Sequence, residues 1–309
     1  MKKILCFILF SSYCIGQHGD FNKDEIVINS LLKGDLHSPS NPSKSTNLVI
    51  IIAGSGPTDR NGNQQGAHNN SLKFYAEELV KNGIAAFSYD KRIIAQMKAG
   101  TINEQALSFN DLIEDAKIII RHFKAQKIYK KIIVAGHSEG SLIGMIAANG
   151  EADGFISIAG AGRTADIIIE EQLAPQAPFL IDEVHGYFTL LKSGKTFELK
   201  NPMLESLFRS SVQPYLISWI KLDPQNEIKK LKIPVLLING TKDLQVQVQD
   251  AHILEKSYPG ANLVIIEKMN HVLKDVMGEI SENMATYSNP DLPVNKVLVQ
   301  SSVDFVKSI

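Results

Sequence analysis

The chain has 309 residues, a formal net charge of −1 and 44% hydrophobic residues. That size suits one large globular domain, or one domain carrying an insertion. The near-neutral charge argues against nucleic acid as a partner, no block of like charge marks a disordered tail, and no internal repeat appears.

The first residues read as a leader rather than as part of the fold. Met1-Lys2-Lys3 is a short basic n-region and Ile4 to Phe10 an apolar h-region. Cleavage after Gly16 leaves Gln17 as the new N-terminus. A signal peptide over 1–16 predicts an exported protein, periplasmic or secreted. The apolar run is too short to span a bilayer and no later segment is long enough, so no stable membrane insertion is expected after leader removal. A lipoprotein reading would use Cys14, but Tyr13 is bulky at that cleavage point. Cys6 and Cys14 both lie in the leader. The mature chain is therefore expected to have no disulfide, no cysteine nucleophile and no cysteine-based metal site.

Residues 18–46 hold short strand candidates such as Glu25 to Ile28, then a Ser/Pro/Asn-rich loop from Ser38 to Ser45. Asn47 to Ala53 is a continuous apolar run, as a strand buried on both faces requires. The pattern then alternates: a helix over Ser71–Lys81 ending before Gly83, a strand over Ile84–Tyr89, a helix over Phe109–Phe123, and strands at Ile132 and over Phe155–Ala159. Alternating strands and helices predict a mostly parallel sheet with helices on both faces. Residues 163–230 break the alternation. They carry Pro175, Pro178, Pro202, Pro214 and Pro224, and Leu204 to Trp219 has helical periodicity that Pro214 kinks or interrupts. We read them as an inserted helical cap between two parts of one core, 17–162 and 231–309. Alternation resumes with a strand over Ile233–Ile238, a helix over Gln249–Ser257, a strand over Ala261–Glu267 and a terminal helix over Lys296–Lys307.

Between the Ile132 strand and a buried helix lies Gly136-His137-Ser138-Glu139-Gly140. A strand, a sharp turn with Ser at its tip and a helix form the context of a nucleophile elbow. Side chains at Gly136 or Gly140 would clash in so tight a turn. Asp243 follows one later strand and His271 the next. Parallel strands bring their C-terminal ends to one edge, so Ser138, Asp243 and His271 should meet there. Their order along the chain, Ser then acid then His, is that of the α/β-hydrolase triad. His137 is a poorer base, because its backbone direction differs from that of Ser138, and is read as packing beside the elbow. His252 lies within a helix pattern and is read as structural. The Glu139 N–H and an N–H from Ser55 or Gly56, in the loop after the Ile50 strand, are the expected oxyanion donors.

These residues resemble the α/β-hydrolase superfamily, in particular its serine aminopeptidase-like branch with bacterial esterases. The resemblance rests on Gly54 to Asn63, on Tyr89-Asp90-Lys91-Arg92, on Ser218-Trp219 with Asp223-Pro224, and on Gly240-x-x-Asp243 with Asn270-His271. The branch usually follows Tyr-Asp-Lys-Arg with Gly, where this chain has Ile93-Ile94. Asp59, Arg60, Asp90 and Arg92 are expected to pair and hold two loops. The resemblance implies a serine hydrolase with an α/β-hydrolase fold. The reading is a carboxylesterase acting on a small-molecule ester of small or medium acyl chain, with no cofactor and no metal.

Two alternatives stand beside it. A peptidase acting on short peptides would need a carboxylate for the substrate ammonium, for which Glu170, Glu171, Asp182 and Glu183 are candidates. A non-catalytic ligand-binding protein would be expected to lack a triad member. A dehalogenase would carry Asp where Ser138 stands.

Overall fold

The computed structural model describes residues 21–309; the leader, the two cysteines and the cleavage point lie outside the described residues. In chain order the strands are β1 (Phe21–Val27), β2 (Lys33–Pro39), β3 (Leu48–Ile52), β4 (Ala85–Tyr89), β5 (Ile132–His137), β6 (Gly154–Ile158), β7 (Val235–Gly240) and β8 (Asn262–Ile266). The helices of the body are α1 (Ser71–Lys81), α2 (Arg92–Ala99), α3 (Phe109–Gln126) and α4 (Glu139–Ala148). Between β6 and β7 come α5 (Ala165–Leu173), α6 (Ile181–Lys192), α7 (Glu205–Phe208), α8 (Gln213–Ile220) and α9 (Pro224–Ile228). The chain closes with α10 (Val248–Ser257), α11 (Ile280–Thr286) and α12 (Lys296–Ser308). No helix among the described residues is long and apolar enough to cross a membrane.

The strands form one sheet in the order β1-β2-β4-β3-β5-β6-β7-β8. β2 is antiparallel to both β1 and β4, and every pairing from β4 to β8 is parallel. β3 shows why its sequence is apolar without alternation. Leu48, Ile50 and Ile52 join a core cluster with α3 and α4, while Val49 and Ile51 join a second cluster with α1 and α12 on the other face. A strand covered on both faces has no solvent side to mark with polar residues.

The helices between β6 and β7 build a third cluster of their own, around Val184, Phe188, Leu191, Phe208 and Leu216. Several contacts tie this cap to the body. Trp219 stacks on Phe109 with ring centroids 5.5 Å apart, Ser218 Oγ accepts the Phe109 N–H at 2.9 Å, and Arg209 Nε donates to Glu104 at 2.8 Å. Pro214 does not kink a helix. It sits in the first turn of α8, where its missing N–H leaves no intrahelical bond unmade. The short α9 turns back to the body, where Ile228 joins the core cluster of α3 and α4.

β2 lies in the stretch of short strand candidates without being singled out there, and α2 falls where a loop is expected. β2 carries buried Asp35 and His37 and has no apolar alternation. α2 starts where the resemblance breaks off, at Arg92-Ile93-Ile94, and has no buried residue.

Candidate active site

β5, β7 and β8 end at the same edge of the sheet, and each delivers one candidate side chain. After β5 the chain turns sharply. Ser138 adopts φ 55° and ψ −121°, and its N–H donates to Ile158 O at 2.9 Å. The flanking glycines are required by contact. A Cβ on Gly136 would lie 2.1 Å from Gly140 O, and one on Gly140 would lie 2.4 Å from Ile52 O. The turn therefore fixes Ser138 above the sheet edge, with the Glu139 N–H opening α4 beside it.

Asp243 follows β7 through a tight turn. Its Oδ1 accepts the N–H groups of Gln245 at 2.8 Å and Val246 at 2.9 Å, and its Oδ2 lies 2.8 Å from His271 Nδ1. The carboxylate side chain is fully buried and the imidazole almost so. A carboxylate that already takes two amide hydrogens can only accept from Nδ1, so Nδ1 carries the proton and Nε2 keeps its lone pair. Ser138 and His271 line one cleft, together with Ser55, Gln64, Gln245 and Tyr287.

The His271 loop is held from behind. Asn270 Nδ2 donates to Asn283 and Thr286, at 2.9 and 2.7 Å. His137 Nε2 lies 2.8 Å from His271 O, so that nitrogen donates. Burial, with His271 nearby, pushes the His137 imidazole down to about 3. His137 is thus a neutral strut under the His271 backbone, and its ring is turned away from the base role.

The loop after β3 is organised by side chains around it. Asp59 Oδ1 accepts the N–H groups of Asn61 and Asn63, both at 2.8 Å. Arg60 bonds to Asp90, Asp35 and Glu25. The expected four-residue pairing is therefore realised only in part. Asp59 is engaged by loop amides, and Arg92 turns to Asp115 of α3, donating from Nε at 2.7 Å. Both changes follow from supply: Arg60 already has three carboxylates, and Asp115 is a buried one that needs a cation.

The sequence reading assigned no role to Lys91 or Tyr215. The buried Lys91 ammonium donates to Gly54 O and, at 2.6 Å, to Glu139 Oε2. Tyr215 of α8 donates to Glu139 Oε1 at 2.5 Å. Burial and the Glu139 charge raise the Tyr215 phenol well above its usual range, so it stays a donor. These three groups join the loop after β3, the turn at Ser138 and the cap. They are far apart in the chain, and no local pattern links them.

Two cavities meet at Ser138. The one shared with His271 has a volume of about 330 Å³. The other, about 280 Å³, runs under the cap and is lined by Ile168, Ile169, Leu207, Leu216 and Trp219. Ser55, Ser138 and Gln245 line both. None of Glu170, Glu171, Asp182 and Glu183 lines either cavity. Glu171 bonds to Arg163, Glu170 to His185, and Glu183 to Tyr187 and Asn201. Among the described residues no group of three His, Cys, Asp or Glu side chains could hold a metal ion.

Comparison with known proteins agrees with this architecture. Residues 65–189, which contain the elbow, match the family model described as "Serine aminopeptidase, S33". Esterase EstD of Thermotoga maritima is 27% identical over 268 residues, covering 82% of this chain and 60% of that relative. The chain thus matches less than two thirds of that relative's length. Among solved structures, Est1E from Butyrivibrio proteoclasticus aligns with a TM-score of 0.58 at 17% identity, covering 92% of this chain and 99% of that one. An esterase of Pyrococcus furiosus aligns with a TM-score of 0.54 at 15% identity, covering 93% and 91%. At these identities the structural likeness speaks for a shared fold.

Proposed function

We propose that this chain, which has an α/β-hydrolase fold, is a serine esterase that cleaves carboxylic esters of small or medium acyl chain. The observation that carries the reading is the His271–Asp243 hydrogen bond at 2.8 Å, opening on the cleft that Ser138 also lines.

In this mechanism His271 Nε2 takes the Ser138 proton as Oγ attacks the ester carbonyl. Asp243 holds the Nδ1–H tautomer and stabilises the imidazolium. His271 then protonates the departing alcohol, leaving an acyl group on Ser138. Water, deprotonated by His271, releases the acid. Ser138 Oγ makes no hydrogen bond within the described residues, which leaves it to be drawn to His271 when substrate binds.

The oxyanion sits between the Glu139 N–H and a loop N–H, and peptide planarity favours Ser55 over Gly56 for the second donor. In a trans peptide the N–H points opposite to the preceding C=O. Gly54 O points at Lys91, so the Ser55 N–H points away from it. Ser55 O accepts from Thr58 and Gln64, which line the cleft, so the Gly56 N–H is directed away from those two residues.

The acyl group fits the apolar cavity under the cap. An aminopeptidase would need a free carboxylate on that side for the substrate ammonium. The acidic residue there is Glu139, and Lys91 and Tyr215 occupy both its oxygens. Export is part of the same proposal, resting on residues 1–16; a secreted form beginning at Gln17, read by mass spectrometry, checks it.

The function is tested with nitrophenyl esters of increasing acyl length beside aminoacyl nitroanilides. Ester turnover is expected to peak at short to medium chains and to fall by on the order of 10⁶ in Ser138→Ala. Turnover that survives this change, or a preference for the anilides, would overturn the reading.

A further inference from the structure

We infer that the alcohol half of the substrate is an uncharged, hydroxyl-rich group, a sugar or another polyol, bound in the cleft on the His271 side of Ser138. This rests on the esterase reading and extends it to the part of the ester that the acyl pocket does not contact.

The side on which the alcohol lies follows from the chemistry. The leaving oxygen must take its proton from His271 Nε2, so the alcohol occupies the cavity that His271 lines. His271 lines the cleft of about 330 Å³ and is absent from the lining of the apolar cavity under the cap. The acyl and alcohol halves therefore meet different walls, which share Ser55, Ser138 and Gln245.

The alcohol-side wall carries a set of hydrogen-bonding side chains and no full charge apart from what His271 gains during the reaction. Ser55, Thr58, Gln64, Asn69, Gln245 and Tyr287 line it, and no Asp, Glu, Lys or Arg does. Several of these groups are held in place while keeping hydrogen-bonding capacity. Tyr287 OH accepts from Gln245 Nε2 at 3.2 Å, which leaves its own proton to donate. Burial, its largest influence, lifts this phenol to about 12, so it remains protonated at neutral pH. Gln64 Nε2 is bound to Ser55 O and Thr58 Oγ1, which leaves Gln64 Oε1 to accept.

A wall that both donates and accepts without charge matches hydroxyl groups, which do the same. A cationic alcohol would call for a carboxylate, and a phosphorylated one for Arg or Lys. An alkyl alcohol would strip water from these polar groups without replacing their hydrogen bonds.

The test uses butanoyl esters that differ only in the alcohol: glycerol or glucose, n-hexanol, and choline. The expected result is a kcat/KM for the polyol esters at least tenfold above that of the hexyl ester, with the choline ester lowest. In Tyr287→Phe the polyol-to-hexyl ratio is expected to fall several-fold. The ratio is internal to each protein, so a partly misfolded variant does not imitate the effect. A hexyl ester as good as the polyol esters, or a ratio unchanged in Tyr287→Phe, overturns the inference while leaving the esterase reading intact. No turnover of any ester sinks both.

Discussion

At the sheet edge Asp243, Lys91 and Glu139 are buried, and their charged atoms are matched by amides, carbonyls or an opposite charge. In the cap Glu171 with Arg163 and His185 with Glu170 lie outward, Asp166 is buried beside Lys192, and the apolar cluster is aromatic and aliphatic. The two regions are therefore tuned by different physics. Errors at the edge leave uncompensated buried charge or lose a fixed proton position. Errors in the cap change the volume and shape of an apolar wall. The edge should tolerate little, and the cap should trade specificity for modest cost.

The largest effect that separates the regions is expected in Asp243→Asn. It keeps the packing but favours the wrong His271 tautomer, and kcat on a butanoyl ester should drop by about 10⁴ with KM little changed. A comparable loss from any single cap substitution would break the distinction.

Lys91→Met comes next. It strands Glu139 in the interior, which typically costs about 3–5 kcal/mol, and it frees Gly54 O. Urea unfolding should show the loss, and adding Glu139→Gln should restore part of it. A single variant as stable as wild type would mean that the pair does not hold the loop.

In the cap, Ile169→Phe should fill part of the acyl cavity. Each methylene in such a pocket is worth about 1–3 kcal/mol. Hexanoyl esters should therefore lose tenfold or more in kcat/KM relative to acetyl esters, with little change in stability. An unshifted acyl profile would place the acyl chain elsewhere.

The most gradual effect concerns acid. Burial pushes His37 from 6.5 to about 4, so between those pH values the unfolded chain binds a proton that the folded chain refuses. Stability is then fully present above pH 6.5 and falls as the pH drops, by up to about 1.4 kcal/mol per pH unit. His137 adds the same sign down to about 3. His37→Phe should flatten the fall in stability between pH 6.5 and 4, measured by urea unfolding.

The same division explains what the sequence revealed. β3, β5 and β7 were legible because burial on both faces writes a continuous apolar run. Ser138, Asp243 and His271 were legible because parallel strand ends share an edge. β2 was hidden because its residues are set by tertiary contact: a Cβ on Gly34 would lie 2.3 Å from Ser88 O, and Asp35 is there for Arg60. Lys91 lay inside a motif already noticed, but its partner Glu139 is 48 positions away. Gln245 and Tyr287 gave no signal, since a polar wall becomes one only when the loops fold beside each other.

Ser138 holds a backbone conformation that glycine adopts at little cost and other residues resist. Selection for folding alone would move this position toward glycine, and Ser138→Gly should yield a dead protein slightly more stable than its parent. Drift in a chain kept only for its shape would run the same way. The strained serine thus reads as a mark of use: a lineage that had stopped turning over substrate would have had no reason to go on bearing it.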